Sequence, residues 1–504
     1  MLRHALASAR IWLGAALLLL PAGCTGCVLT LPFGYTVNFA GFSGKPVPES
    51  QLAGQIRLPQ GFSIAVYASG IENARMLRWT SGGDLLVSAP RQGKVFLVER
   101  DRSGRGAPSG QRVLLDGLNL PHGMTIRGDW LYVAENDAVL RVPFDAAAGR
   151  LTGSPERIIR GLPTGGNHWT RTIDVGPDGR LYLTMGSSCN VCIEKDPHRA
   201  SMWRFNLDGS GEEIYATGLR NAVGFAWRPG TDELYATVNG RDLLGDDFPP
   251  DRFDRIVQGG FYGWPFANGD RVPDPDYGAG HEADVARTLP PAYALQAHVA
   301  PLGMTFYDAR SFPARYRGAA FVAEHGSWNR SKKVGYKVVA LFFANDGTIH
   351  EEDFVSGFMV DEKVIGRPVD VAVGPDGALY VSDDFTGQIY RVAYGAAAPP
   401  AAAILPPVTP TAAPAVDPLA SLDPAERQAA VARGDALWQE HDCRTCHLPG
   451  GGGKTYRPLE GLGHKYGIEK LADYFLAPQP PMPVFDLSPA QRRDLAIYLL
   501  NAHP

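Results

Sequence analysis

The stretch "GPDGALYVSDD" at 374–384 joins a Gly-Pro-Asp-Gly turn to a short alternating strand that ends in small and polar residues. The pattern occurs five times earlier, at "DLLVSAP", "WLYVAEN", "RLYLTMG", "ELYATVN" and "AAFVAEH" (84–90, 130–136, 180–186, 233–239 and 319–325). Most intervals fall roughly between 40 and 60 residues, the size of a four-stranded blade. The repeats predict an all-β fold, a six-bladed β-propeller over residues 51–394, in preference to a pair of β-sandwiches.

One interval between the repeats is longer than the others. The fourth and fifth repeats lie about 86 residues apart. The fifth blade is therefore expected to carry a long insertion, at "PFANGDRVPDPDYGAGHEAD" (265–284).

Size and composition limit the classes of protein. The 504 residues are too many for one ordinary domain. The formal net charge is −5, and 20% of the residues are charged, so nothing indicates an extended surface that binds a polyanion such as nucleic acid. The 58 Gly and 41 Pro favour a loop-rich β architecture over a helical bundle.

The N-terminus has the features of a signal peptide. Arg3 and Arg10 precede an apolar run at 11–20 that is too short to span a membrane. We therefore expect residues 1–23 to be a signal peptide and residues 24–50 an N-terminal tether. The protein is expected to be exported to the periplasm.

Cys24 leaves two alternatives. It follows "PAG" as in a lipoprotein signal, although Pro21 stands where Leu is usual. Either Cys24 is lipidated and anchors the protein to a membrane, or the signal is simply cleaved and Cys24 pairs with Cys27. The close pair Cys189 and Cys192 is interpreted as a structural disulfide, since an oxidising compartment favours one.

A second domain follows an Ala/Pro-rich linker at 395–422, which is expected to be semi-rigid and extended. Residues 423–504 are expected to form a small all-α domain. Asp423, with Pro424 after it, predicts the start of a helix over 424–441. Further helices are predicted at 468–476 and 488–500.

The helical domain contains the Cys-x-x-Cys-His motif of c-type haem attachment, "CRTCH" at 443–447. Cys443 and Cys446 would bond the haem covalently, and His447 would ligate the iron. Met482, on a proline-braced loop, is the predicted sixth ligand, and a thioether there raises the haem potential. His464 is the alternative ligand. The domain resembles the small class I cytochromes c over about 80 residues.

Polar side chains of the propeller gather in loops that enter or leave strands. His168, in "TGGNHWTRTIDVGPDG" (164–179), could act as a general base as a neutral imidazole. Arg220 and Asn221 suit a carboxylate-bearing ligand. The stretch "AEHGSWNRSKKVGYKV" (323–338) and Arg367 add positive charge and an aromatic face. Together these loops indicate a compact, aromatic, polyanionic ligand.

These motifs resemble a known family. "GGNHWTRTIDVGPDG", "GLRNAVGFAW", "QGGFYGWP", "HVAPLGMTFY" and "HGSWNR…GYKV" are similar to the soluble aldose and L-sorbosone dehydrogenases that use pyrroloquinoline quinone (PQQ). The resemblance extends over about residues 55–393, with the motifs in the family's order. It implies a six-bladed propeller that binds PQQ beside a Ca²⁺ ion on its top face.

The resemblance also implies roles for individual residues. His168 corresponds to the catalytic base. The cofactor-binding residues that it implies are Arg220, Asn221, Tyr293, Trp328, Arg330, Lys337 and Arg367. Gly240 and Arg241 would offer backbone carbonyls to Ca²⁺, a cation that prefers oxygen ligands.

The chain departs from the glucose-dehydrogenase branch at three positions. Arg241 replaces a Pro, His122 replaces a Gln beside the cofactor, and Val369 replaces an Arg. These departures favour the sorbosone and pyranose dehydrogenases, to which "SSCNVC" (187–192) also belongs.

The implied function is oxidation of a sugar or sugar aldehyde by hydride transfer to PQQ, with Ca²⁺ and Arg220 polarising the quinone. Electrons would then pass to the haem c and on to an acceptor, either a soluble cytochrome or a quinone-linked chain. Two alternatives are a calcium-dependent lactonase-like hydrolase and a non-catalytic propeller platform, each fused to a cytochrome c. The hydrolase would need a cluster of side-chain carboxylates in the central channel.

Overall fold

A computed structural model describes most of the chain. It covers residues 27–30, 36–41, 43–101, 107–395, 419–420, 422–441, 443–447, 459, 462, 466–476, 485 and 487–503. The signal peptide, Cys24, most of the linker, His464 and Met482 lie outside the described residues. The chain divides into two compact units, Met1–Val408 and Thr409–Pro504. Among the described residues, no helix has both the length and the apolar character needed to cross a membrane.

Six of the sheets described in the first unit are each built on four antiparallel strands, which confirms the six-bladed propeller. In chain order, the blades comprise Leu77–Trp79, Leu85–Ala89, Lys94–Glu99 and Gly110–Leu115; Met124–Arg127, Trp130–Ala134, Ala138–Asp145 and Glu156–Arg160; Arg171–Val175, Leu181–Met185, Ser201–Phe205 and Glu213–Thr217; Ala222–Trp227, Leu234–Val238, Asp251–Ile256 and Tyr293–Leu295; Pro301–Phe306, Ala320–Glu324, Lys337–Phe343 and Ile349–Val355; and Pro368–Val373, Leu379–Asp383, Gln388–Tyr394 and Phe62–Ala68. Each repeat of the sequence pattern forms the second strand of a blade. These strands are almost entirely buried because apolar residues of adjacent blades pack on both of their faces.

The ring is closed by the strand that comes first along the propeller. Phe62–Ala68 pairs antiparallel with Gln388–Tyr394, the last strand, and so completes the sixth blade. The amide of Gly395 also donates to the carbonyl of Gly61, 3.0 Å away. The two ends of the propeller are therefore held together by backbone hydrogen bonds.

An N-terminal segment packs onto the propeller. The strands Cys27–Thr30 and Thr36–Phe39 form a hairpin, and helix α1 covers Glu49–Gln55. The amide of Asn38 donates to the carbonyl of Trp328, and the amide of Gly44 donates to that of Phe385. Segment 36–48 therefore contacts loops of the fifth and sixth blades.

The long insertion lies in the fourth blade, and its predicted place in the fifth was wrong. It joins the third strand, Asp251–Ile256, to the fourth, Tyr293–Leu295, and contains helix α2, Glu282–Arg287. The interval between two second strands includes the outer half of one blade and the inner strand of the next. Repeat spacing alone therefore does not decide which blade holds the extra residues.

Short elements decorate the blades. These are the strands Arg150–Leu151, Gly260–Phe261, Ala267–Asn268, Val272–Pro273, Met359–Val360 and Lys363–Val364, and the single 3₁₀ turns Pro90–Gln92 and Ala314–Tyr316.

The second unit is helical, as predicted. Its helices are α3 (Pro424–Glu440), α4 (Arg444–His447), α5 (Ile468–Tyr474) and α6 (Pro489–Ala502). The Asp423 side chain caps α3 by accepting from the amides of Ala425 and Glu426. Ser488 and Gln491 form a reciprocal capping box at the start of α6. The cap residues in the sequence thus fix where these two helices begin.

Helices α3 and α6 approach each other closely at Gly434. A Cβ atom placed there would lie 2.3 Å from the backbone oxygen of Asp494 and 2.5 Å from the Cβ of Tyr498. Only a residue without a side chain allows this contact between the first and last helices of the unit.

We predict that Gly434→Ala destabilises the helical unit by about 1–3 kcal/mol, because the added methyl group forces α3 and α6 apart. Denaturant unfolding of the haem-loaded chain, followed by haem absorbance, measures this loss. Gly467→Ala is the matched control, since a Cβ there meets nothing within 4 Å. Equal midpoints for the two variants would contradict the prediction.

Candidate functional site

A polar cavity of about 540 Å³ opens where the loops that lead into the inner strands of the blades meet. Its lining includes Arg75, His168, Asn221, Ala300 and His325. A second cavity of about 370 Å³ is lined by the inner strands farther along their course, at residues such as Trp79 and Trp227. The polar cavity therefore lies at the end of the central channel from which the inner strands start.

His168 lies in this cavity with one ring nitrogen already engaged. Its Nδ1 lies 2.8 Å from the carbonyl oxygen of Ser187 and 3.0 Å from the Oγ of the same residue. A carbonyl only accepts, so Nδ1 carries the proton and Nε2 holds the lone pair. Within the described residues, Nε2 forms no hydrogen bond. Arg171 and Arg199 also donate to the backbone carbonyl of His168, at 3.2 and 3.1 Å.

His168 is neutral over the physiological range. Burial, with Arg220 as the second cause, lowers its pKa from 6.5 to about 3. A neutral imidazole with a fixed tautomer can accept a proton at Nε2, which is the requirement for a general base.

Arg220 is buried in the cavity wall, and its guanidinium is saturated by protein acceptors. Nε donates to the carbonyl of Asn190 at 2.9 Å, and Nη1 donates to that of Gly240 at 2.5 Å. Nη2 donates to Asn190 Oδ1 at 2.9 Å and forms an ion pair with Asp242 Oδ2 at 2.7 Å. The sequence predicted direct contact with a ligand, whereas the structure engages this side chain in holding the neighbouring loops.

Two amide oxygens in the cavity lining are buried without a partner. They are Oδ1 of Asn221 and Oδ1 of Asn329, neither of which has a hydrogen-bond partner among the described residues. Buried polar atoms are normally paired, so both oxygens fit a ligand that donates hydrogen bonds. The indoles of Trp169 and Trp328 also line the cavity and add aromatic surface to it. This donor set fits a compact aromatic group such as PQQ.

A buried carboxylate organises the side of the cavity formed by the sixth blade. Asp384 Oδ1 lies 2.7 Å from Arg367 Nε and 3.1 Å from His325 Nε2, and its Oδ2 lies 2.9 Å from Arg75 Nη1. Three cationic or neutral donors around one acid hold the pKa of Asp384 well below its usual value, despite burial. Arg75 also stacks on Trp169, with its Cζ 5.4 Å from the ring centroid. The network fixes Arg75 and His325 in the cavity wall.

Gly240, one of the two predicted calcium ligands, lies in the lining beside Asp242 and Asp251. Asp251 accepts from the amides of Gly240 and Ala300 at 2.6 and 2.8 Å, and burial raises its pKa to about 6. The Gly240 carbonyl and these carboxylates are oxygen donors of the type that Ca²⁺ prefers. The side chain of Arg241 is turned into the blade-four insertion, where it pairs with Asp274 at 2.5 Å.

Two predicted cofactor contacts lie away from the cavity, between the fourth and fifth blades. Tyr293 packs against the apolar cluster around Phe253. Lys337 pairs with Asp353 at 2.6 Å and lies 3.8 Å from the buried Glu324, whose pKa burial raises to about 8. Both residues belong to blades that contribute to the cavity. Their side chains, however, contact groups packed between the two blades and are not in the cavity lining.

The other predicted cofactor residues stand behind the lining. Arg330 donates to Asp247 Oδ1 at 3.1 Å and to the carbonyl of Ala297 at 3.2 Å. Arg367 lies outside the lining and pairs with Asp384, which contacts the lining residues Arg75 and His325. His122 is fully buried with its ring edge on Trp169, 5.5 Å between centroids, and burial lowers its pKa well below the usual value. These three residues support the wall from behind. Of the predicted cofactor residues, Arg220, Asn221 and Trp328 are in the lining itself.

The structure contains the predicted disulfide between Cys189 and Cys192. It closes a loop that begins beside Ser187, the partner of His168. Glu194 lies near the two sulfurs but accepts hydrogen bonds from the amide and hydroxyl of Ser188. Because the sulfurs are joined, no thiolate is offered to a metal.

In the helical unit, Cys443 and His447 lie one helical turn apart, with the His447 amide donating to the Cys443 carbonyl at 3.2 Å. Cys443 packs against the apolar core of the unit, and the ring of His447 lies 5.9 Å from that of Trp438. The thiol and imidazole thus fit the attachment and ligation of a haem c. The side chain of Cys446, together with His464 and Met482, lies outside the described residues.

Sequence reasoning missed several residues of the lining. His325 and Asn329 stand inside the quoted stretch "AEHGSWNRSKKVGYKV". Cofactor binding was predicted there for the Trp and the cationic residues instead. Arg75 and Asp251 carry no recognisable local motif. Arg75 pairs with Asp384, 309 residues away, and Asp251 accepts from the amide of Ala300, 49 residues away, although the polar tip of the repeat "ALYVSDD" contained Asp384. Asn190, which stands in "SSCNVC" and supports the wall from behind, bonds to Asp242, 52 residues away.

The sequence matches two families. Residues 56–248 and 278–395 match the TrAA12-like family, and residues 429–499 match the family of cytochrome c oxidase, cbb3-type, subunit III.

Individual known proteins are also similar to this chain in sequence or in fold. An uncharacterised protein of Borreliella burgdorferi is 30% identical over 368 residues, covering 70% of this chain and 94% of its own. A pyrroloquinoline quinone-dependent pyranose dehydrogenase of Coprinopsis cinerea is 26% identical over 433 residues, and 70% of this chain matches 56% of that enzyme's length. The structure of a family AA12 enzyme from Trichoderma reesei superposes with a TM-score of 0.58 at 20% identity, covering 68% of this chain and 98% of that one. This last likeness is one of fold.

We predict that His168 stays neutral in the folded protein down to a pH near its pKa of about 3. Its Cε1 proton resonance, identified by its loss in His168→Asn, should not shift between about pH 5 and 8, whereas in urea it should titrate near 6.5. Because only the unfolded chain takes up this proton, stability present above about pH 6.5 is lost as the pH falls toward 3. A folded-state midpoint near 6.5 would contradict the assigned environment.

Proposed function

We propose, from the premise that the chain belongs to the TrAA12-like family, that it is a PQQ-dependent dehydrogenase that oxidises a sugar or sugar aldehyde and passes the electrons to its own haem c. The observation that carries the proposal is His168, a neutral imidazole with its Nδ1 proton fixed and its Nε2 lone pair available in an aromatic and polar cavity.

His168 would remove the proton of the substrate hydroxyl at Nε2. The hydrogen bond from Nδ1 to Ser187 keeps the ring oriented and stabilises the imidazolium that forms. The low pKa of His168 means that the ring does not keep this proton and passes it on to solvent or to another base. The substrate loses one proton to His168 and one hydride, so a hydroxyl carbon becomes a carbonyl carbon.

PQQ, when bound, supplies the quinone that accepts the hydride. Trp169 and Trp328 would hold its ring system, and the orphaned oxygens of Asn221 and Asn329 would accept from its donor groups. Arg75, fixed by Asp384, would face its carboxylates. Arg220, with its donors already engaged, would act on the site through the loops that it holds.

A Ca²⁺ ion is part of the proposal. The carbonyl oxygens of Gly240 and Arg241 are its candidate ligands, and Asp242 and Asp251 lie beside Gly240 in the cavity lining. The resemblance to the aldose and sorbosone dehydrogenases supports this choice of cation.

Cys443 and Cys446 would attach the haem, and His447 and Met482 would ligate its iron. The haem would supply one-electron redox chemistry, with a soluble cytochrome or quinone-linked chain as the onward acceptor. Export by the signal peptide is also proposed, since Arg3, Arg10 and the apolar run favour it. Cys24 is then either a lipid anchor or a partner of Cys27.

The calcium-dependent hydrolase is the less favoured function. Such an enzyme needs clustered carboxylates in the channel. Among the described residues, the only close trio of potential metal-ligating side chains is Cys189, Cys192 and Glu194, and its two sulfurs form a disulfide. A non-catalytic platform would not require a neutral His168 with a fixed tautomer in the cavity lining.

We predict that the full chain, matured with haem and supplied with PQQ and Ca²⁺, reduces its haem when an oxidisable sugar is added. A panel of aldoses and keto-aldehydes, followed by haem absorbance and an artificial dye, tests this. His168→Ala should lower the rate about 10²–10⁴-fold, since the base is removed. His350→Ala is the control, because His350 is an exposed residue outside the cavity. If no sugar reduces either haem or dye in the unaltered chain, the dehydrogenase assignment fails.

A second prediction separates the two cofactors. Met482→Ala should leave dye reduction by sugar intact and lower the haem potential, because the thioether ligand raises it. Potentiometric titration measures the change, and His464→Ala should leave the potential unaltered. A potential that changes in His464→Ala and not in Met482→Ala would assign the sixth ligand to His464.

A further inference from the structure

We propose that Asn190, at the tip of the disulfide-closed loop, is a positioning residue that fixes Arg220 and the segment Gly240–Asp242 in the wall of the cavity. The loop is defined here as residues 187–192. This inference deepens the proposed function and rests on it only for the identity of the bound cofactor.

Asn190 bonds to both elements, Arg220 and the Gly240–Asp242 segment, through its side chain and its backbone carbonyl. Its Oδ1 accepts from Arg220 Nη2 and from the amide of Asp242, each at 2.9 Å. Its Nδ2 donates to the carbonyl of Asp242 at 3.0 Å. Its backbone carbonyl accepts from Arg220 Nε at 2.9 Å and from Trp264 Nε1 at 3.3 Å. One asparagine therefore clamps the backbone of Asp242 on both sides and supplies two acceptors to Arg220.

The geometry of Arg220 depends on these acceptors. Its guanidinium has five N–H groups, and Asn190 satisfies two of them. The others go to Asp242, to the carbonyl of Gly240 at 2.5 Å and to that of Asn239 at 3.4 Å. Without Asn190, the buried guanidinium would have unpaired donors and would have to turn to find other acceptors, releasing the Gly240 carbonyl.

The same loop also holds the proposed base. Ser187 accepts from His168 Nδ1, and its hydroxyl donates to the carbonyl of Cys189 at 2.7 Å. The amide of Ser187 donates to the backbone carbonyl of Arg220 at 2.7 Å. The loop thus contacts His168 at its start and the Gly240–Asp242 segment at its tip, and the disulfide between Cys189 and Cys192 restricts the backbone on either side of Asn190.

A binding role for the loop itself is not supported. Both sulfurs are oxidised, the Glu194 carboxylate accepts from Ser188, and both the Oδ1 and the Nδ2 of Asn190 bond to protein atoms. The remaining side chain of note, Ile193, is 60% exposed and takes no part in these contacts. The polar contacts of Asn190 therefore serve position.

The test compares Asn190→Ala with Ile193→Ala, which lies just beyond the same loop, in the full haem-loaded chain. Hydrogen exchange of the Asp242 amide, measured before any PQQ is added, should be faster in Asn190→Ala and unchanged in Ile193→Ala. Titration with PQQ in the presence of Ca²⁺, followed by tryptophan fluorescence, should show affinity weakened about 10–100-fold in Asn190→Ala only.

A conservative variant separates positioning from a general loss of structure. Asn190→Asp keeps both acceptor bonds and loses only the donation to the Asp242 carbonyl, so it should restore most of the PQQ affinity. Its Asp242 amide should remain slow to exchange. Thermal unfolding of all three variants shows whether each is folded at the temperature of measurement.

Each outcome is decisive for one of the two claims. If unaltered protein binds no PQQ, the proposed cofactor is wrong, and the exchange of the Asp242 amide still reports on the clamp. If unaltered protein binds PQQ and folded Asn190→Ala matches Ile193→Ala in both exchange and affinity, the positioning role is overturned. If Asn190→Ala fails to fold, Asn190→Asp decides. It should bind PQQ nearly as tightly as the unaltered protein, and a loss of PQQ affinity in this variant would contradict the positioning role.

Discussion

The propeller depends on one constraint, the closure of its ring through the pairing of Phe62–Ala68 with Gln388–Tyr394. Six blades converge on the channel only if the first and last of them form adjacent sheets, and the backbone ladder of the sixth blade secures this arrangement. A closed ring also fixes the starting points of the inner strands relative to one another. The loops that contain His168, Asn221 and His325 therefore meet around a single cavity, although they are far apart in sequence.

The cavity combines buried charge with groups left to be satisfied. In the wall, Asp384 pairs with both Arg75 and Arg367 and contacts His325, so each buried charge of this group has a partner of opposite sign. The oxygens of Asn221 and Asn329 differ, because they are buried and unpaired among the described residues. The cost of such atoms is recovered only when a ligand donates to them, which makes the cavity selective for a molecule with suitably placed donors.

The features that depend on local sequence could be predicted. Turn and strand alternation gave the second strand of every blade, and Asp423 and Ser488 located two helix starts, because caps and turns act over a few residues. The His168 loop was found for the same reason. Features set by distant pairing were missed, including the closing strand, the blade that holds the insertion and the roles of Arg75 and Asn190. Tyr293 and Lys337 were assigned to the cofactor through the family resemblance. The structure places them on the fourth strand of the fourth blade and the third strand of the fifth, outside the cavity lining.

The exit of the chain from the propeller has a consequence for how such proteins acquire new partners. Gln388–Tyr394 is flanked on one side by Leu379–Asp383 and on the other by Phe62–Ala68, and Gly395 bonds to Gly61 immediately afterwards. The backbone pairings that close the ring are thus complete before the linker begins. Sequence added beyond this point is free to change without altering the fold, so a haem unit could be gained, lost or exchanged by gene fusion while the oxidising site stays intact.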